Sequence, residues 1–433
     1  MANFISSFFS NHPVPSGNKP SIRFEINDFA PPLYTQLLIL QPTPFCNLDC
    51  DYCYLPDRNS HDRMSPKVIR QVATRIREDN LLGDSLTIVW HAGEPLVLPP
   101  DYYAEAFAIF SEVLGDTCQL SHSIQTNAAL INDQWCALFK QHNTRIGISL
   151  DGPEHIHNKH RKTRDGKGAY SLVIRGMKFL QKHDIPFHVI AVITEDSLAH
   201  AEELHHFFTS QNIHEIGFNF DEAEGLNSSS SLNGQEAKHR SFYQQMMQYS
   251  IAPDCSYQIR ELVTAFRLIS QGLPDYTWQG KSWPNNSQTL PFAIITVGWN
   301  GDFSTFSPEL LGQPDSEFNN FILGNVAETS FLQCTETPVF QNIWKLISQG
   351  TSLCQQNCAY FKYCGGGAPA NKLYENGRLD STETLYCRSM LQRPFETVLQ
   401  QLESEANGVG NSSQNKPEIH SHTNIAQENS SGK

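Results

Sequence analysis

The sequence contains no run of about 18 apolar residues, so no single helix of it is built to cross a bilayer. Its opening stretch, "MANFISSFFSNHPVPSGNKP", has no basic residues ahead of a short apolar run, which argues against a secretory signal. Positive charge is in deficit. Thirty-one Lys and Arg face 45 Asp and Glu, a formal charge of −14. Such a surface repels a phosphate backbone, which argues against nucleic acid as a partner. Ordinary solubility accounts for the acidity. No internal repeat is visible. These absences leave a cytoplasmic protein with no membrane partner as the expectation.

What is present is a chain of 433 residues, 39% of them apolar, enough to bury a large core. It also carries eleven cysteines. Without a signal peptide, close-spaced cysteines point to metal or redox chemistry rather than disulfides, and the odd count argues against complete pairing.

From residue 35 a rhythm of strands and helices sets in. Strand-like runs are "YTQLLILQP", "SLTIVWHAG", "QLSHSIQTN", "RIGISLDGP", "FHVIAVITE" and "HEIGFNFDE". Amphipathic stretches lie between most of them. In "SPKVIRQVATRIREDN", Ser65 can cap, Pro66 suits the first turn, and Val68, Ile69, Val72, Ala73 and Ile76 share a face. Alternation of this kind predicts an α/β fold with a parallel sheet and right-handed crossovers. Periodicity leaves open whether the sheet stays flat or curls. Residues 226–238 read as a polar linker, and two helical stretches follow. "FAIITVGWNGDFSTF" reads as a hairpin turning at Asn300-Gly301. A cysteine-rich segment spans Cys354–Cys387. The tail, residues 407–433, is polar and predicted to be disordered.

Cys46, Cys50 and Cys53 fall in "FCNLDCDYCY", just after the first strand. A structural zinc site needs four ligands, usually in two pairs. Three close thiolates with no local fourth suit a cubane iron–sulfur cluster with one iron left open. The end of a first strand is also where ligands bind in α/β sheets and barrels.

Cys46-x3-Cys50-x2-Cys53 resembles the signature of the radical S-adenosylmethionine (SAM) enzymes. The resemblance implies a partial (β/α)6 barrel over residues 35–225, preceded by an extension at 1–34. It also implies a [4Fe-4S] cluster on the three thiolates, with SAM bound at the open iron. One electron then splits SAM to a 5′-deoxyadenosyl radical. "WHAGEPL" resembles the family's Gly-Gly-Glu-Pro motif, with Ala92 in place of the first glycine. Gly93 and Glu94 are thereby assigned to the SAM amino group. "SIQTNAAL" places Gln125 and Asn127 near SAM ribose or substrate. Ser149 in "GISLDGP" resembles a ribose or carboxylate contact, and Tyr52 resembles an adenine neighbour. Arg161, with Arg164 second, fits the arginine that pairs with the SAM carboxylate. Val192 and Ile193 are weaker candidates for packing on adenine. His91 and His122 are placed at strand ends near the cavity. His155, His157 and His160 read as scattered loop imidazoles rather than a metal site.

The second cysteine group is Cys354-x3-Cys358-x5-Cys364, followed by Cys387. Spacing alone leaves zinc and iron–sulfur open. The segment resembles the SPASM extension of peptide-modifying radical SAM enzymes, assigned to residues 291–395 beyond a helical linker at 226–290. That extension normally carries two auxiliary clusters. Here no cysteine follows the hairpin and none follows the glycine run closely. One auxiliary [4Fe-4S] cluster on Cys354, Cys358, Cys364 and Cys387 is therefore expected, with Cys255 or Cys334 left for a remnant of a second.

"FSPELLG", "CAYFKYCGGGAPANKLYENG" and "TETLYC" resemble a narrower group, the GrrM-type maturases of glycine-rich precursor peptides. Related enzymes join an aromatic ring carbon to the β-carbon of a residue two positions on, forming a cyclophane. The resemblance implies a ribosomally made, glycine-rich precursor peptide and a flavodoxin or ferredoxin as reductant. Loss of one electron and one proton restores the ring. Asp221, Glu222 and Glu224 are the positional candidates for the proton, with Asp221 taken as catalytic. Residues 1–34 are too short for a separate leader-binding domain. The alternatives are formylglycine formation from Ser or Cys, thioether formation, and a peptide-binding iron–sulfur or zinc scaffold without catalysis.

Overall fold

A computed structural model describes residues 34–272, 275–278, 281–284 and 286–408. The N-terminal extension and the tail beyond Gly408 lie outside the described residues. Residues up to Val398 belong to one compact unit, and the last turns of the final helix belong to a second.

The core opens with β1 (Leu37–Leu40), α1 (Pro66–Glu78), β2 (Ser85–Trp90), α2 (Pro100–Leu114), β3 (Gln119–Thr126) and α3 (Asp133–Gln141). It continues with β4 (Arg145–Ser149), α4 (Glu154–His160), α5 (Tyr170–Lys182), β5 (Phe187–Ile193), α6 (Ala201–Ser210) and β6 (Glu215–Phe220). The strands lie side by side in chain order, all parallel. Successive right-handed crossovers in that order put every helix on the same face, which is what makes a sheet curl rather than stay open. The α1 pattern is met. Ser65 Oγ accepts from Val68 N at 3.3 Å, Pro66 opens the helix, and Ile69, Val72, Ala73 and Ile76 are buried.

Alternation along the strands separates two environments. Leu86, Ile88 and Trp90 of β2 point under the helices and are fully buried, with Trp90 edge-on to Tyr103 of α2 at 5.2 Å. The opposite face carries Thr87, Ser121, Gln125, Ser149 and His188, all half-buried. A polar, incompletely packed inner face is what a ligand cavity requires.

Next come α7 (Glu236–Ser250), β7 (Gln258–Ile259), α8 (Arg260–Gln271) and a separate hairpin, β8 (Asp275–Trp278) with β9 (Lys281–Pro284). The Asn300-Gly301 hairpin is present between β10 (Ile294–Val297) and β11 (Asp302–Thr305), with Gly301 at φ 92°. β10 pairs in parallel with β1, and β11 pairs with β12 (Gly324–Asn325). The cysteine-rich extension thus shares a sheet with the core, a pairing the local pattern could not disclose. Its helices are α9 (Pro338–Asn357), α10 (Phe361–Cys364) and α11 (Pro369–Asn376). A π-helical turn at Cys387–Gln392 runs into α12 (Arg393–Gly408).

Candidate active site

The loops leaving the C-terminal ends of β1 to β6 carry the proposed ligands. The first cysteine loop, after β1, is held from outside. Arg164 donates from Nε and Nη2 to the Cys46 carbonyl at 2.9 and 2.7 Å, and its guanidinium lies over the Phe45 ring. Arg164 also bonds Arg58 O and Asn59. It therefore braces the cysteine loop and is not turned toward a SAM carboxylate. Asn127 Nδ2 donates to Asn47 Oδ1 at 2.7 Å and reaches Cys46 Sγ at 3.9 Å, so Asn127 also serves this loop.

Burial pushes the Cys46 thiol up to about 12, with the Glu94 carboxylate adding to the effect; burial likewise pushes Cys50 up to about 11. Thiols this hard to ionise lose their protons to a bound metal rather than to solvent. Among the described residues, His155, His200 and Glu203 form the one group of three or more His, Cys, Asp or Glu whose ligand atoms all lie within 4.8 Å.

In the loop after β2, Ala92 and Gly93 both take left-handed backbone, φ 69° and 58°. A Cβ on Gly93 would overlap the Thr43 carbonyl and come within 2.6 Å of the Phe45 carbonyl. Only glycine fits there. Glu94 is 1% exposed and largely committed. Its Oε1 accepts from Leu96 N at 2.9 Å and Thr126 Oγ1 at 2.6 Å, and its Oε2 from Asn127 N at 2.8 Å. One lone pair on Oε2 remains for an ammonium.

Gln125 Nε2 donates to Ser149 Oγ at 3.1 Å, crossing Gly147, where a Cβ would meet the Gln125 and His188 side chains. Arg161 forms a two-pronged pair with Asp151, Nε–Oδ2 at 2.9 Å and Nη2–Oδ1 at 3.0 Å, both residues buried. Tyr52 Oη donates to the same carboxylate at 2.6 Å, and Val192 N does so at 2.9 Å. Burial raises the Asp151 carboxyl's pKa, but the charges of Arg161 and His157 and the hydrogen bonds from Arg161 and Tyr52 together hold the group below its ordinary value. Asp151 thus organises Tyr52, Arg161 and the β5 backbone. It is absent from the sequence-based site, although its place after "SL" at the end of β4 signalled it.

Other expectations change. Val192 faces the cavity, but Ile193 points to the opposite face and is fully buried, so both cannot touch adenine. His122 is a core residue, stacked on Phe107 at 3.9 Å. His91 is half-buried, and its desolvation pulls its pKa down to about 4. His157 turns inward and accepts from Asp151 N at 3.3 Å, while His155 joins His200 and Glu203 at the surface.

The second cysteine set also converges. Cys354 lies in the last turn of α9, Cys358 just beyond it, Cys364 at the end of α10 and Cys387 at the head of the π-helical turn. Irregular helical turns of this kind recur at functional sites. Gly365, Gly366 and Gly367 run at φ 69°, 114° and 74°, folding the chain back on the sulfurs. Three sulfurs accept hydrogen bonds: Cys364 from Gly367 N at 3.1 Å, Cys387 from Thr384 Oγ1 at 3.3 Å, and Cys354 from Lys372 Nζ at 3.4 Å. Burial, then the neighbouring thiols, raises the Cys358 and Cys364 pKa values. Cys334 sits instead beside Asp79, and Cys255 bonds Tyr257 O, so neither joins this set.

Between the two sets lies a group of carboxylates. Asp221 is not the free member. Its oxygens accept from Asn227 Nδ2 at 2.9 Å and Ser231 N at 2.7 Å, closing the loop after β6. Glu222 is the better-placed acid. Burial, with Glu309, Glu375 and Asp221 near it, pushes it up to about 8 despite a 2.5 Å bond from Asn371 Nδ2. Burial also raises Glu224 and Glu309, and Glu309 adds to the effect on Glu224. Tyr54 lies in the fields of Glu224, Glu309 and Cys53, and Tyr386 in those of Glu222, Cys364, Glu309 and Cys387. Glu309 comes from the extension and was not foreseen, because nothing in local sequence pairs it with Glu222.

Residues 40–208 match the family model described as "Radical SAM superfamily". The chain belongs to the radical SAM superfamily. A Synechocystis relative, "Uncharacterized protein sll1766", is 41% identical over 387 residues, covering 88% of this chain and 94% of the relative. The "Serine-type anaerobic sulfatase-maturating enzyme" of Klebsiella aerogenes is 34% identical over 171 residues, 39% of this chain and 42% of that enzyme. The structure titled "Native anSMEcpe with bound AdoMet and Cp18Cys peptide" shares the fold, with TM-score 0.68 and 20% identity over 87% of this chain and 99% of that one. As a radical SAM protein the chain uses SAM and a [4Fe-4S] cluster, and the Cys46, Cys50 and Cys53 loop fits them. Among the described residues no helix is long and apolar enough to cross a membrane.

Proposed function

We propose that this radical SAM enzyme modifies a ribosomally made, glycine-rich precursor peptide, joining an aromatic ring carbon to a nearby residue's β-carbon. The carrying observation is the acidic group of Glu222, Glu224 and Glu309 set between the two cysteine sets. Cross-linking ends with loss of one electron and one proton from the joined ring, and this arrangement offers a receiver for each. When bound, SAM and the cluster supply a 5′-deoxyadenosyl radical that removes a hydrogen atom from the peptide. The protein's own share follows from the geometry. Arg164, Arg58 and Asn127 hold the Cys46 loop in place. Asp151 keeps Tyr52 and Arg161 at the cavity wall. Glu222, with its raised pKa, takes the ring proton, while Asp221 braces the loop that presents it. SAM contacts are assigned to Gly93, Glu94, Gln125, Ser149 and the free edge of Arg161. A flavodoxin or ferredoxin in the cytoplasm is the proposed electron donor.

A second reading, oxidation of Ser or Cys to formylglycine, is favoured by the 34% identity to the Klebsiella enzyme over 171 residues. Cross-linking and formylglycine formation from Ser each remove two hydrogens, whereas formation from Cys also replaces sulfur with oxygen. Anaerobic co-expression with the peptide encoded beside the gene separates them. A loss of two hydrogens with fragmentation blocked inside one tripeptide supports cross-linking. An aldehyde that reacts with hydrazides, with fragmentation open, assigns formylglycine instead. A colourless zinc protein that yields no 5′-deoxyadenosine overturns both.

A further inference from the structure

The two cysteine sets sit in different electrostatic surroundings. Around the first, the strongest charged neighbour of Cys46 is a carboxylate, Glu94, and the one side-chain donor to its sulfur is the distant Asn127 amide at 3.9 Å. Arg161 lies near Cys50, but Asp151 neutralises it through two hydrogen bonds. Around the second set, three sulfurs accept hydrogen bonds, and one donor is an ammonium.

That ammonium, Lys372, is only 2% exposed. Among the described residues no carboxylate oxygen lies within 4.0 Å of its Nζ, and its hydrogen-bond partner is Cys354 Sγ at 3.4 Å. Asp380, whose field it enters, is already held by Arg378 at 2.6 and 2.7 Å. A buried lysine with no carboxylate partner is costly unless an anion stands beside it. A cluster on four thiolates is such an anion.

We infer that Lys372 tunes the redox potential of the second centre: its buried ammonium at Cys354 raises that potential, so the electron leaving the cross-linked ring goes there. This rests on the proposed iron–sulfur centre at Cys354, Cys358, Cys364 and Cys387. Reduction adds one negative charge to such a centre, and a fixed positive charge in a low-dielectric interior favours the more negative state. The balance closes. The ring radical loses one electron to the oxidised second centre and one proton to the Glu222 carboxylate, and Lys372 keeps its charge throughout. Lys372 acts through the cluster and is a positioning residue, not a catalytic one.

The test is an anaerobic redox titration of the full-length, iron-reconstituted protein followed by electron paramagnetic resonance. The signal that changes on adding SAM reports the first centre, and the unchanged one reports the second. In Lys372→Met, at the native midpoint of the second centre, the ratio of reduced to oxidised cluster should fall at least tenfold. For a one-electron couple that is about 59 mV. The SAM-responsive signal should keep its midpoint. Lys372→Arg, which retains the charge, should restore most of the shift. An unchanged second midpoint in Lys372→Met overturns the inference, as does a shift in Lys372→Arg equal to that in Lys372→Met. If Lys372→Met fails to hold iron, Lys372→Gln takes its place. Loss of the second centre in both neutral variants assigns Lys372 to assembly and overturns the redox role. If the native protein lacks a second iron–sulfur signal, the reading beneath the inference fails rather than the inference itself.

Discussion

Ala92 sits where its superfamily resemblance calls for glycine, and it keeps a left-handed backbone, φ 69°. That conformation costs an alanine about 1–2 kcal/mol. Ala92→Gly should relieve part of it and raise the melting temperature without loss of SAM cleavage, as calorimetry and a deoxyadenosine assay would show. Its neighbour is the opposite case. A Cβ at Gly93 overlaps backbone carbonyls of Thr43 and Phe45, so Gly93→Ala should displace the cysteine loop and abolish SAM cleavage. Glu222 makes a pH prediction. Folded, it holds its proton up to about pH 8, whereas an unfolded glutamate releases it near pH 4.3. The folded state therefore binds the extra proton across that window, and stability falls as pH rises through it. Glu222→Gln should melt closer to its acid-side temperature at pH 8.5 than the native protein does. The native product yield should rise with pH toward pH 8, and Glu222→Gln should lose that rise. Equal pH profiles for the two proteins would remove Glu222 from the proton's path.

Among the elements, the cysteine loop is the least self-sufficient. It has no helix or strand of its own, and its shape depends on Arg164 and Arg58 reaching its carbonyls. Arg164→Ala should therefore lower iron at the first site and weaken the SAM-responsive signal while the second site stays filled. Global stability should change by only about 1 kcal/mol, because the removed contacts lie near the surface. Iron analysis and a thermal melt on the same sample read both. Here the limits of local pattern are plain. Arg164 looked like a second candidate for the SAM carboxylate, because spacing shows that an arginine follows the β4 loop but not which way it turns. Asp221 looked free for the same reason, yet Asn227 and Ser231, a few residues on, fold back to cap it. The strand and helix periods themselves were legible, because burial on one face of each element writes a period of 2 or 3.6 into the residues.

Across the whole molecule, two centres with unequal surroundings imply separable functions. Cys50→Ala removes a ligand of the first and should abolish deoxyadenosine formation, with iron falling by about four per chain. Cys364→Ala removes a ligand of the second. It should keep part of the deoxyadenosine yield and lose the modified peptide. Full product from that variant would show the second centre to be dispensable. The acidic group between the centres exists only because β10 pairs with β1 and brings Glu309 of the extension to the loop after β6.

The sequence by itself determined the cysteine triad, its place after the first strand, the succession of six strands and helices, and the four cysteines of the extension. Each is a local matter of spacing and period. Only the tertiary structure decided that Asp151 engages Arg161 and Tyr52, that Glu222 rather than Asp221 is the acid whose pKa burial raises, and that Lys372 lies against Cys354. Those facts depend on which side chain, distant along the chain, reaches a buried charge first. A buried charge must find a partner or be neutralised, and a one-dimensional pattern states that need without naming the partner.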